Sequence, residues 1–354
     1  MPVTLPTASL QQGTWFKLIC GASFHHLPSV RELAFLYTLA GADCIDVAAD
    51  PAIVRAAQEG IQRAQAEDPQ AGSPWLMVSV NDGEDVHFRK AVLTAPVCPA
   101  DCPQPCLAVC PPHALTQAAL PAQVHIQTEL CYGCGRCEPV CPHRRIATFG
   151  YQVALSEVLP PLVELGIQAV EIHTCIGRQR PFEQLWGSLK PWLPQLQAIS
   201  ISFNDGPGLE AYLRDLLALM DPLPEVLIWQ VDGRPMSGDI GAGTGKATLK
   251  LAEKVLNMGL PGYVQLAGGT NAQTLPLLDP RWPVAGVAFG SYARQLVSAY
   301  LEEPAHSSSE SGWNPGLVAG IPLAKQLVQQ VKRRSRQRCR ALSIADQRTC
   351  FSRV

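Results

Sequence analysis

Eight cysteines crowd into the stretch from Cys98 to Cys141, as CPADCPQPCLAVCP (98–111) and CYGCGRCEPVCP (131–142). The second run has the C-x2-C-x2-C-x3-C-P spacing by which iron–sulfur proteins hold cubane clusters. Three closely spaced thiolates in a tight loop can take three corners of one cube, and Gly133 and Gly135 allow the turn. The fourth cysteine lies too far along the chain to serve that cube and ligates another, so ligation is crossed between the two runs. One cluster is expected on Cys110, Cys131, Cys134 and Cys137. The other is expected on Cys98, Cys102, Cys106 and Cys141. A rough internal repeat, CPPHAL (110–115) against CPHRRI (141–146), supports a ferredoxin-like pair of half-modules. A pair of four-cysteine zinc sites is the rival, and the doubled Cys-Pro pattern argues against it.

The first run departs from the pattern, with three residues instead of two between its first three cysteines. Longer loops stiffened by Pro99, Pro103 and Pro105 fit a regular cube less well. That site is therefore expected to hold a three-iron (3Fe-4S) or labile four-iron cluster, and the regular site a 4Fe-4S cluster. Oxidative loss of iron should begin at the irregular site.

Other signals are weaker. LAGGTN (266–271) and FGSYAR (289–294) follow apolar runs. Gly268, Gly269, Thr270, Gly290, Ser291 and Arg294 could cradle a phosphate, as loops after late strands of barrel enzymes do for FMN. The bland alternative is that these glycines only cap strands and helices. GDIGAGTGK (238–246) is glycine-rich without being a P-loop, since Ile240 stands where glycine is needed and Ala247 follows Lys246. It is either a flexible loop or a backbone anion cradle. Lys17, Lys246, His25 and His26 have solvated, salt-bridged or capping roles as their default. Cys20, Cys44 and Cys175 are expected as packing thiols, with Cys175 a weak candidate for redox chemistry. No hydrolase triad, paired-carboxylate or zinc-hydrolase signature appears, so no catalytic residue is assigned.

The elements that must carry these groups alternate. Strand-like runs fall at 15–20, 44–48, 75–80, 169–173, 198–203, 226–231, 262–266 and 284–289. Helical patterns lie at 27–40, from 51, and at 155–165, 182–189, 209–219, 248–258, 274–278 and 291–301. Continuous apolar strands alternating with helices imply parallel strands covered on both faces. Eight units fit an α/β fold of the closed (β/α)8 TIM type, which takes about 250 residues. An open doubly wound α/β sheet with a ferredoxin domain is the alternative. The division expected is 13–90 for the first part of the barrel, 91–148 for the iron–sulfur insertion, and 149–301 for the second part. Residues 302–354 read as a polar linker and a basic C-terminal tail. The insertion follows the third strand, on the face where barrel enzymes keep their sites.

With 47% hydrophobic and 16% charged residues in 354, the chain can bury a large core and is not a disordered protein. A formal charge of −2 gives no general attraction to nucleic acid or acidic membranes. The first residues, MPVTLPTASLQQG, do not resemble a secretory signal, and no apolar run approaches a membrane span. Thirteen cysteines without a signal suit metal ligands and free thiols in a reducing cytoplasm.

The segments FKLICGASFHHLPSVRELAFLYTLAGADCIDVAADP (16–51) and EIHTCIG (171–177), together with both cysteine runs, make the chain resemble the LdpA family. These are light-dependent period proteins of the cyanobacterial circadian clock. The resemblance implies an iron–sulfur protein that reports cellular redox state, and through it light, to the clock. It also implies clock-input partners such as the kinase CikA and the oscillator protein KaiA, and it carries no catalytic set. The expected function is thus a redox sensor. The alternatives are a flavin-linked oxidoreductase with electron transfer through two clusters, and a scaffold stapled by them.

Overall fold

The computed structural model describes residues 5–95, 98–117, 124–234, 241, 243–301 and 316–334. Twelve strands lie among them: β1 (Trp15–Ile19), β2 (Cys44–Ala48), β3 (Trp75–Asn81), β4 (Arg89–Leu93), β5 (Leu115–Gln117) and β6 (Val124–Ile126), then β7 (Ile146–Gly150), β8 (Ala169–His173), β9 (Ala198–Phe203), β10 (Leu227–Asp232), β11 (Tyr263–Ala267) and β12 (Val284–Phe289). Eight of them close into one parallel barrel in the order β1-β12-β11-β10-β9-β8-β3-β2. The fold is a TIM-like (β/α)8 barrel, and the open sheet is excluded.

The outer faces of the strands pack against helices whose ends are set by local chemistry. His26 caps the helix Leu27–Ala40, which Gly41 ends in the left-handed region at φ 91°. Asp50 accepts from the amides of Ala52 and Ile53 to start the helix Pro51–Glu67, with proline at the position that needs no donor.

Inside the barrel the layers differ. At the amino ends of the strands the filling is apolar: Trp15, Cys44, Trp75, Met77, Ala169, Ala198 and Ile228 cluster under Leu10 from the helix Pro6–Gln12. One layer up the inward residues are polar: Lys17, Asp46, Glu171, Ser200, Gln230 and Gln265, all buried.

Between β3 and β8 the chain leaves the barrel mouth. β4 and β7 pair antiparallel, Arg89 opposite Gly150 through Leu93 opposite Ile146, and carry the cysteine segment between them. β5 and β6 form a second small antiparallel pair. The two cysteine runs repeat one local design. Short helices Pro105–Ala108 and Cys137–Val140 precede Cys110 and Cys141, and β5 and β7 follow. His113 and Arg144, each three residues after the cysteine, share positive φ values of 51° and 50°.

One expectation needs correction. Residues 302–354 are not wholly linker and tail. Residues 302–315 and 335–354, which hold the polar stretch, most of the basic run, Cys339 and Cys350, lie outside the described residues. Between them Ile321–Lys332 is a helix that buries Ala324, Leu327, Val328 and Val331. These positions recur every three to four residues, so the helical signal was present under the charge. Lys332 pairs with buried Asp43, and Arg334 donates to the carbonyls of Gly13 (3.1 Å), Val284 (2.6 Å) and Trp282 (2.8 Å). The segment closes the amino end of the barrel. Leu327→Ala should therefore lower unfolding free energy by about 2–5 kcal/mol in denaturant titrations, as core truncations do. A change within error of zero would mean that this helix is not part of the core.

Candidate iron–sulfur site and the barrel mouth

The cysteine segment builds a core of its own from Ala91, Cys106, Cys110, Ala114, Leu115, Val124, Cys131, Cys137 and Ile146. Within it the thiols sort into two groups. Cys98 faces Cys102 and Cys141, and Cys106 faces Cys141, Cys98 and Cys102. Cys110 faces Cys134 and Cys131, while Cys137 faces Cys134, Cys131 and Cys110. Burial, and then mutual repulsion within each group, pushes up the thiols of Cys98 and Cys106. Cys137 is pushed up to about 12 by the same causes.

Backbone amides point at the sulfurs. Arg145 N–H donates to Cys141 Sγ (3.2 Å) and Ala91 N–H to Cys131 Sγ (3.4 Å). Gly133 and Gly135 have φ 73° and 75°, and a Cβ at Gly133 would stand 2.3 Å from the Arg89 carbonyl. Convergent thiolates in an apolar shell repel one another unless a metal–sulfur core shares their charge. Amide-to-sulfur hydrogen bonds tune such cores. The residues fit iron–sulfur clusters, which would supply one-electron chemistry beside the barrel mouth.

The segment sits on the loop after β1. Lys90 Nζ donates to the carbonyls of Ser23, Thr128 (2.6 Å) and Cys131 (2.6 Å). His25 N–H donates to Glu129 O (2.9 Å), and Tyr151 Oη bonds Ala22 O and Ser23 Oγ, both at 3.2 Å. The Arg294 guanidinium lies 4.6 Å from the centre of the Tyr132 ring and donates to the carbonyls of Ile19 (3.0 Å) and Cys20 (2.7 Å).

That geometry bears on the expected phosphate cradle. Arg294 also donates to Ser291 Oγ (3.2 Å), and Thr270 Oγ1 donates to Ala288 O (2.6 Å). A Cβ on Gly268 would meet Gly233 N at 2.8 Å, and one on Gly269 would meet Thr244 O at 2.9 Å. Gly290 precedes the helix Ser291–Val297. The Thr270 and Arg294 side chains are thus engaged with backbone carbonyls, so a phosphate here would rest on the backbone N–H groups of these loops. In the loop 238–246, Gly238–Ile240 and Ala242 lie outside the described residues. The carbonyl of Gly241 accepts from Thr244 (2.9 Å) and Asn271 (2.7 Å).

Sequence reasoning missed the polar interior. Lys17 Nζ pairs with Asp46 (3.0 Å), bonds Glu171 and donates to Gln230 Oε1 (3.0 Å). Burial opposes its charge, but Asp46 and Glu171 prevail and Lys17 is held above the ordinary lysine range. Burial likewise opposes the charge of Glu171, which Lys17 and His173 hold below the carboxylate range. Glu171 Oε1 lies 3.2 Å from His173 Nε2, at the carboxyl end of β8. Asp85 and His87 approach His173 from the segment between β3 and β4. The period-two polar residues within apolar strands (Lys17, Asp46, Glu171, His173, Gln230, Asp232) were the available signal.

The lesser candidates take structural places. Cys20 and Cys44 are buried thiols pushed upward by burial, Cys20 to about 12. His26 is the helix cap described above. Cys175 Sγ accepts from Arg178 Nε (3.1 Å).

Residues 98–152 match the LdpA Fe-S cluster-binding domain, and residues 161–330 match the light dependent period A C-terminal domain. The chain is 49% identical over 344 residues to light dependent period A of Synechococcus elongatus, covering 94% of this chain and 95% of that one. The chain belongs to the light dependent period A family. Among solved structures, an Escherichia coli homocysteine methyltransferase matches with a TM-score of 0.43 and 15% identity, over 83% of this chain and 99% of that one. A Cryptosporidium parvum pyruvate kinase matches with a TM-score of 0.43 and 9% identity, over 97% of this chain and 71% of that one. Likeness at this level bears on neither ligand nor activity. The family's iron–sulfur domain overlaps the segment described here, and no helix among the described residues is long and apolar enough to cross a membrane.

Removing Lys17 tests the buried network. Lys17→Met leaves Asp46 and Glu171 without their cation and should cost about 3–5 kcal/mol of stability in chemical denaturation. A loss below about 1 kcal/mol would mean that water or other groups already neutralise these carboxylates.

Proposed function

We propose that the chain is a redox-sensing regulatory protein that holds two iron–sulfur clusters by crossed ligation and passes their state to clock-input partners in the cytoplasm. The carrying observation is the sorting of the thiols, with Cys141 among the first-run cysteines and Cys110 among those of the second. Each group of four then ligates one ferredoxin-like cluster, and neighbouring clusters favour electron passage. Partners such as CikA and KaiA follow from the family resemblance, which implies a light-dependent role in the clock.

The seam between insertion and barrel supports the relay. Cys131 is tied through its own carbonyl to Lys90, and Tyr132 to Arg294, so the second group adjoins side chains that hold the first and last strands. A change of cluster charge or iron content would act on this seam and bias a two-state packing. The oxidoreductase alternative needs a flavin, and the Thr270 and Arg294 side chains that could have met its phosphate bond backbone carbonyls instead.

Graded oxidation of anaerobically purified protein, followed by electron paramagnetic resonance, tests this reading. A three-iron signal should arise first from the Cys98–Cys102–Cys106–Cys141 site. Cys110→Ser should damage the site of Cys131, Cys134 and Cys137 while leaving that early signal in place. Loss of the early signal in Cys110→Ser would refute crossed ligation. A first signal from the Cys131 site would move the sensing role there.

A further inference from the structure

The barrel mouth carries a second cluster of ligating groups that the iron–sulfur reading does not use. Asp85, His87 and His173 bring one carboxylate oxygen and two imidazole nitrogens within 4.8 Å of one another. Asp85 Oδ1 lies 2.8 Å from His87 Nδ1 and 3.8 Å from His173 Nδ1. The two rings stand 4.8 Å apart, centre to centre.

We propose that Asp85, His87 and His173 form a binding site for one divalent transition-metal ion, zinc(II) or a similar borderline cation, at the carboxyl end of the barrel. The donor set selects the class. Two imidazoles and one carboxylate suit zinc or iron(II), whereas magnesium and calcium want oxygen ligands. Three protein ligands also leave a coordination position open, the pattern of catalytic sites rather than closed structural ones.

The support around the three ligands points the same way. His173 presents Nδ1 to Asp85 while its Nε2 faces Glu171 Oε1 at 3.2 Å, the carboxylate–histidine arrangement that fixes the tautomer and orientation of a metal-bound imidazole. Glu171 is itself fixed, accepting from Ser200 Oγ (2.7 Å) and Gln230 Nε2 (2.8 Å) and pairing with Lys17. Asp85 is oriented by the amide of His87 (2.7 Å). Phe88, fully buried, sets its edge against His173 at 5.2 Å and walls the site on one side. Asp232, also buried at the mouth, is a further carboxyl neighbour of both histidines, and burial pushes its pKa up. Asp82 adds a fourth carboxyl group to the mouth beside Asp85, Asp232 and the Lys17-paired Glu171.

The position explains why a metal would matter. His173 ends β8, whereas Asp85 and His87 belong to the lead into β4, so one ion would pin the iron–sulfur insertion to the barrel. The His87 carbonyl accepts from Ser23 Oγ, on the same loop that receives Lys90.

The test uses the full chain with its iron–sulfur clusters in place, titrated anaerobically with zinc chloride by calorimetry, with elemental analysis after gel filtration. One zinc per chain is expected beyond the cluster iron. His87→Ala and Asp85→Asn should weaken binding at least tenfold, and Glu171→Gln about 10–100-fold, as loss of a supporting carboxylate does. In each variant the cluster absorbance and the circular dichroism should match the parent protein, which separates loss of a ligand from loss of fold. Absence of zinc binding by the parent protein at micromolar concentration, or parental affinity in both His87→Ala and Asp85→Asn, would overturn the proposal. Should His87→Ala fail to fold, Asp85→Asn, which keeps the side-chain volume, decides the matter alone.

Discussion

A lysine in the middle of a closed barrel has to be neutralised without water, and Lys17 is neutralised by Asp46 from the neighbouring strand and Glu171 from across the barrel. That ion pair orders what lies above it. Glu171 holds His173, His173 meets Asp85, Asp85 holds His87, and the His87 carbonyl holds Ser23. Ser23 and Cys131 then share the ammonium of Lys90. A continuous set of polar contacts thus runs from the barrel interior to a cysteine of the cluster loop. Burying so many charges is costly, and removing any one partner leaves another uncompensated. Such networks add little net stability but specify one arrangement, here the docking of the insertion on the mouth.

The insertion itself is too small to depend on apolar packing alone. Its two sheets have two strands each, and four of the nine residues in its buried core are cysteines. An isolated two-stranded sheet is marginal in water, so metal binding has to contribute to its folding. The duplicated geometry at His113 and Arg144 shows how one short design serves twice, each cysteine receiving backbone N–H groups from the residues that follow it.

The barrel was legible because its strands are apolar and its helices carry caps and a clear period. β2, β8, β9 and β12 begin and end where the residue pattern places them. The helix Ile321–Lys332 was obscured by the lysines and arginines around it, although its apolar positions recur at helical spacing. The polar interior was harder to see. Glu171 and His173 alternate with Val170 and Ile172, but an inward polar residue and a solvated one look alike until the strands close. The side chains of the loops 266–271 and 289–294 were hard to read for a related reason. Glycine, threonine and arginine after a strand suit a phosphate, yet Thr270 and Arg294 here bond the backbone of β12 and the end of β1. Spacing identifies possible donors; only packing says what receives them.

The central claim is that cluster state is felt at the seam between insertion and barrel. Hydrogen exchange followed by mass spectrometry, on oxidised and dithionite-reduced protein under anaerobic conditions, measures this directly. The account predicts a difference in protection confined to residues 21–26, 87–91 and 291–297, with the strands at the barrel's amino end unchanged. Equal protection of those three segments in both states, with resonance spectra proving that the clusters had changed, would contradict it.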